Sequence, residues 1–360
     1  MTDSIEITDT SDTTGTTDTT GTLDEALQRL HALGPEYEDR LSNHGPMAVE
    51  ALVRHGQAAS VHRWLDRYST KLEDLSTRDT PVTDANWSEA LGDRRRTADW
   101  IAYFERQVTE EGQPWQEVLA QWWPRLLSGI AASATHSVIR VGHSVRTLLD
   151  GGDSAPRVAE LAHALGYWAA CHQPLPELKT LDPVPPSALA ALDAVEPIPE
   201  PVIGINNRLA QLTAFPRWPA TGPADPMDPD ATRAALRELV TASVHRYATH
   251  GHGNAVMMVH SATAPNAVLR TLPALPHELW PMSLAAAWTA SAAITAAYTP
   301  REGVAYIPDS TDLTPDEVFD RAAAHGDDHA IKFTDTALDV GDATALTAAS
   351  RSLALIDPVG

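Results

Sequence analysis

Histidines account for 15 of the 360 residues, and some of them stand among apolar neighbours, where an imidazole must do something specific. His136 lies in GIAASATHSVIRVGHSVR, with Arg140 and His143 four and seven residues on and therefore on the same helix face. A buried polar face needs partners. Two accounts supply them: a hydrogen-bonded network between helices, or a metal-bound imidazole whose second nitrogen is held by a neighbour. His260 closes the apolar run NAVMMVH. Ser261, Thr263 and Pro265 after it are expected to bend or loosen that helix, through side-chain bonds to the backbone and a missing donor. In DDHAIKFTDTAL, His329 and Lys332 stand at i and i+3 and share a face. A buried lysine has a lowered pKa and can take up CO₂ as a carbamate, chemically a carboxylate ligand. The alternative is an exposed Lys332 paired with Asp328 or Asp335.

Other chemistries find little support. No GxGxxG follows a strand, and no Walker, HExxH, EF-hand or GxSxG pattern occurs. A flavin or nicotinamide Rossmann unit is thus unsupported. HGHGN at 250–254 reads as a turn between helices. His31, His55, His62 and His172 lie near helix ends or charged neighbours and read as surface or capping residues. Cys171 is the single cysteine, so no intrachain disulfide or thiolate zinc cluster can form, and it reads as a packed thiol. A reducing, cytoplasmic compartment is expected. The net charge of −22 argues against a nucleic-acid partner, and Arg94, Arg95 and Arg96 read as a solvated helix face. No signal peptide is expected, and the stretch 282–298 is too rich in Ala, Ser and Thr for a span of ~20 apolar residues. It reads as a buried helix, with no membrane partner.

The elements that must position these residues are helical almost throughout. SVHRWLDRYSTKL, for example, repeats apolar groups at Val61, Trp64, Leu65 and Tyr68, the spacing of one buried stripe. The sequence predicts an all-α, multi-helical single globular domain over residues 23–360, behind a disordered Thr/Asp-rich tail at 1–22. Between about 173 and 230 prolines are dense, which predicts short helices joined by extended segments in an excursion across that domain.

Several separated blocks, SNHGPMAVEAL (42–52), THSVIRVGHSVR, ALGYWAA (164–170), MMVHSATAPNAVLRTLP and GDDHAIKFT, resemble the questin oxidase-like family from about Leu23 to Asp339. That family is known for oxygen-dependent opening of anthraquinone rings, formally a Baeyer–Villiger-type reaction. The resemblance implies a non-haem Fe(II) oxygenase with His44, His136, His260 and His329 as metal ligands and Lys332, as a carbamate, as a fifth. Imidazole and carboxylate donors suit Fe(II), and an open position would admit O₂. It further implies an aromatic quinone or phenolic substrate, packed against Trp64, Tyr68, Trp168 or Trp288, with Arg140 and His143 orienting a ligand or a substrate oxygen. NADPH is a candidate reductant. The competing reading is a non-catalytic helical binding protein for aromatic small molecules; the sequence sets no oligomeric state.

Overall fold

Apolar residues at helical spacing bury one face of each segment, and the result is a single multi-helical globule. The computed structural model describes residues 19–38, 40–110, 114–219, 228–308 and 313–359. Residues 1–18 of the expected tail lie outside the described residues. The first helix, Thr19–His31, begins four residues before Leu23, where the sequence placed the start of the fold.

The helix His260–Thr271 occupies the centre, packed on His136–Gly151, Trp280–Tyr298, Pro229–His250 and Asp328–Val340. Its approach to His136–Gly151 depends on Gly142: a Cβ there would fall 2.5 Å from Ala267 Cα. Any side chain at 142 therefore forces the two helices apart. Pro265 does not end the helix. It lacks the N–H that would bond the carbonyl of Ser261, and Ser291 Oγ supplies a donor to that carbonyl at 2.6 Å. The interruption falls instead at Val259, between Ala255–Met258 and His260–Thr271, where a single helix was expected.

Trp280–Tyr298 is apolar on all sides and buried, and no helix of the described residues is long and apolar enough to cross a membrane. Gly45–Arg54 carries Pro46 in its first turn, packs on Asp328–Val340 and on His136–Gly151, and closes the fourth side of the site. The proline-dense stretch holds two short helices, Ala188–Asp193 and Ile205–Leu209, and a parallel strand pair, Lys179–Leu181 with Ala214–Pro216. Glu36–Tyr37 and Leu41–Ser42 form a second, antiparallel pair. Arg94–Arg96 is a 3₁₀ turn rather than a helix face, and Arg94 is half-buried against Glu36 and Ser133.

Candidate metal centre

Four helix starts converge in the interior, and each carries a histidine. His44 caps the helix Gly45–Arg54, His136 and His260 open theirs, and His329 follows Asp328 at the head of Asp328–Val340. One ligand atom from each lies within 4.8 Å of all the others. Opposite donors on one ion at a typical ~2.1 Å metal–imidazole bond stand about 4.2 Å apart. Closing the cluster on an ion thus takes sub-ångström shifts.

The hydrogen bonds fix which nitrogens point inward. A backbone carbonyl only accepts, so His136 Nδ1 must donate to Ser133 O, and His260 Nδ1 to Met257 O at 3.1 Å. His44 Nδ1 donates to Asp328 Oδ1 at 2.5 Å, and His329 Nδ1 donates to the same oxygen at 2.9 Å. In the neutral ring each Nε2 is then left with a lone pair. His136 Nε2 and His260 Nε2 face each other at 2.9 Å, and neither has a proton to share while both rings are neutral. Neutral they are: burial pushes both well below the usual imidazole range, with neighbouring positive groups adding to the effect, and burial brings His44 down to about 3 against the pull of Asp328. His329 differs, because burial lowers it but Asp328 and Asp327 outweigh that and leave it raised. His44 Nε2 is buried without a partner. Three convergent lone pairs in a buried site, with the Nε2 of His329 as a fourth donor once that ring gives up its proton, suit a cation, so the residues fit a metal.

Lys332 lies near the cluster. It is 0% exposed, its Nζ has no hydrogen-bond partner, and its charge acts on all four imidazoles. Burial lowers its pKa to about 8 despite Asp328 and Asp327. The exposed ion pair with Asp328 or Asp335 does not form; those carboxylates serve His44, His329 and Lys71, and Arg146 and Arg270, respectively.

His136 reaches the cluster through local strain. Ser133, Ala134 and Thr135 have φ of 48°, 53° and 68°, three consecutive left-handed residues with no glycine among them, each costing roughly 1–2 kcal/mol. Arg94 Nη2 holds Ser133 Oγ at 2.8 Å. Beside this turn a cavity of about 480 Å³ opens from His136, walled by Ser42, Arg40, Arg94, Asn206, Met257 and Tyr298. Its size suits a small aromatic molecule.

Arg140 and His143 share the helix of His136 but lie deeper. Arg140 makes a two-pronged ion pair with Glu160, at 2.6 and 2.9 Å, and His143 Nδ1 donates to Glu50 Oε2 at 2.7 Å. Their polar groups are committed to these carboxylates rather than to the cavity. Of the aromatic residues expected to line a substrate, only Tyr68 touches the cluster, its hydroxyl accepting from the His44 N–H at 2.6 Å. Trp64 stacks on Tyr68, Trp168 packs on Trp123 in the core, and Trp288 faces Trp218 in a separate cavity of about 320 Å³. Asp327 as the helix cap and Asp328 as the bridge between two imidazoles are not expected from the sequence, although the doubled acid directly before His329 is a signal for them.

The buried carboxylates set an acid limit. Arg146 and His143 oppose the effect of burial and hold Glu50 at about 2, and Arg140 with His31 does the same for Glu160. A depressed carboxylate contributes stability above its unfolded value of about 4.3 and loses it as the pH falls through the folded one, here roughly 3 kcal/mol each. The neutral histidines begin the loss earlier, because the unfolded chain takes up their protons from about pH 6.5. Metal-free protein should therefore weaken steadily below pH 6.5 and steeply between 4.5 and 2 in a circular-dichroism titration. A flat profile down to pH 4 would contradict these assignments.

No curated protein matches the chain. Residues 41–183, a stretch that carries His44, His136, Arg140 and His143 but ends before His260, His329 and Lys332, match the family model described as Questin oxidase-like, so this part of the chain is similar to that family.

Proposed function

We propose that the chain is a non-haem iron oxygenase acting on an aromatic quinone or phenolic substrate of the polyketide type. The observation that carries this reading is the 2.9 Å approach of His136 Nε2 and His260 Nε2, two lone pairs with no proton between them. A shared cation turns that repulsion into coordination. His44, His136, His260 and His329 would hold the ion, and Lys332 as a carbamate would add an anionic oxygen donor; imidazole with carboxylate suits Fe(II). When bound, such a metal supplies activation of O₂.

The chain's own residues do the rest. Asp328 accepts the Nδ1 protons of His44 and His329, which orients both rings and raises their basicity. The carbonyls of Ser133 and Met257 do the same for His136 and His260. Met257 and Tyr298 offer the cavity an apolar surface for a ring, and Arg40, Arg94 and Asn206 offer donors for its oxygens. Insertion of one oxygen atom beside a carbonyl, with the second leaving as water, needs two further electrons, for which NADPH is the candidate donor.

The test is metal analysis of anaerobically purified protein, followed by oxygen uptake with a panel of hydroxyanthraquinones. The expected result is about one iron per chain and substrate-dependent uptake. Folded protein that neither holds nor takes up metal ends the proposal. Tryptophan quenching by the same compounds without oxygen uptake would favour a binding protein, for which the Trp218–Trp288 cavity is the natural seat.

A further inference from the structure

The four helices that carry the histidines meet a second time, deeper in the core. Glu50 lies six residues beyond His44, His143 and Arg146 seven and ten beyond His136, Arg270 ten beyond His260, and Asp335 and Asp339 six and ten beyond His329. At about 1.5 Å per helical residue these positions are roughly 9–15 Å from the histidine layer on every helix. They form one network. Arg146 Nε donates to Glu50 Oε1 at 2.9 Å and its Nη1 to Asp335 Oδ1 at 3.1 Å; Arg270 Nη2 donates to Asp335 Oδ2 at 2.7 Å and its Nε to Asp339 Oδ2 at 2.9 Å. His143 joins it in one tautomer, donating from Nδ1 to Glu50 and presenting Nε2 to Arg270 Nη1 at 3.4 Å.

Glu50, His143 and Asp335 bring ligand atoms close enough to suggest a second metal site. The Arg146 fork already spans both carboxylates, so a cation there would have to displace a guanidinium. Stability alone explains the network poorly, since buried ion pairs gain little over well-packed apolar residues while demanding a single geometry. What it does provide is register. A slip of one residue along any of the four helices moves its charged group about 1.5 Å and breaks the fork, and the histidine on that helix moves with it. Metal–ligand distances tolerate only about 0.2 Å.

We infer that Glu50, His143, Arg146, Arg270, Asp335 and Asp339 form a positioning frame that sets the axial register of the four histidines and so the geometry and affinity of the metal centre. The inference rests on the metal reading proposed above. It makes His143 and Arg146 positioning residues, acting through helices rather than by contact with substrate.

The test titrates Co(II) into the metal-free full-length chain and reads its visible absorption bands, with thermal melting in parallel, for wild type, Arg146→Lys and Asp339→Asn. Arg146→Lys keeps the charge and loses the two-sided fork. It is expected to fold, to bind Co(II) about ten- to a hundredfold more weakly and to show shifted bands. Asp339→Asn, at the half-exposed end of the network, should show a smaller shift in the same direction, and it decides the matter if Arg146→Lys does not fold. Folded variants that melt lower yet match the wild-type affinity and bands overturn the frame while leaving the metal centre intact. Wild-type protein that takes up no Co(II) overturns the metal reading itself, and the frame with it.

Discussion

Replacing His260 by alanine should abolish metal binding and yet leave the metal-free protein about as stable as the wild type. Removing a fully buried side chain ordinarily leaves a cavity worth about 2–5 kcal/mol. Here the deletion also relieves an unfavourable contact, because His260 Nε2 and His136 Nε2 present lone pairs to each other at 2.9 Å with both Nδ1 atoms committed to carbonyls. Removing one of two buried acceptors that lack a donor recovers about 1–3 kcal/mol, which offsets most of the cavity term. Metal reverses the balance. At a free concentration near a thousand times its Kd an ion stabilises the wild type by about 4 kcal/mol, a rise of roughly 5 °C in Tm for a chain of this size. The variant should show no such rise, and its oxygen uptake should fall more than a hundredfold. A His260→Ala protein that still holds one iron per chain and still melts higher with metal would remove His260 from the ligand set.

Much of this site was legible because an imidazole in an apolar helical segment is out of place. That signal singled out His136, His260 and His329 before any packing was known, and Lys332 followed from sharing a face with His329. His44 carried no such mark. NHGPM reads as an ordinary helix start, and only the resemblance to a family drew attention to it. The partners stayed hidden for a physical reason: His44 meets Asp328 across 284 residues, His143 meets Glu50 across 93 and Arg146 meets Asp335 across 189, and periodicity within a helix is silent about what faces it. Arg140 and His143 were correctly read as polar groups on a buried face, but that face turns to carboxylates on neighbouring helices instead of to the cavity. Local rules failed in two places. The left-handed run Ser133–Ala134–Thr135 contains no glycine to announce it, and the helix breaks at Val259 although the proline is at 265. Both irregularities lie directly before a histidine of the cluster; the run Ser133–Ala134–Thr135 is strained, where strain is expected to serve function, whereas Val259 keeps helical φ and ψ.

Convergent helix starts also have an electrostatic consequence. Each helix N-terminus carries about half a positive charge, so the ends that bring the histidines together oppose the cation those histidines suit. Asp327 and Asp328 offset part of this at one helix, and an anionic donor from Lys332 would offset more.

Lys332 is therefore the residue whose replacement should separate the metal-free and metal-loaded states most clearly. In the metal-free chain its amine is fully buried without a partner, and burial lowers its pKa from 10.5 to about 8. Between those values the folded state holds fewer protons than the unfolded one, so stability rises with pH across that window, by about 3 kcal/mol in total. Below pH 8 the full penalty is present. Lys332→Met removes it, and the metal-free variant should be more stable than wild type at pH 7 by about that amount, with the difference vanishing as the pH approaches 10.5. In the metal-loaded protein the order reverses. Lys332→Met should bind iron more weakly and lose more than a hundredfold in turnover, wild-type activity should fall in CO₂-depleted buffer, and formate or acetate should partly restore Lys332→Ala by supplying the missing carboxylate oxygen. Undiminished turnover in Lys332→Met would show that the lysine is not a donor. A stability difference that does not change with pH would show that its amine is not the buried, unpaired group on which the carbamate depends.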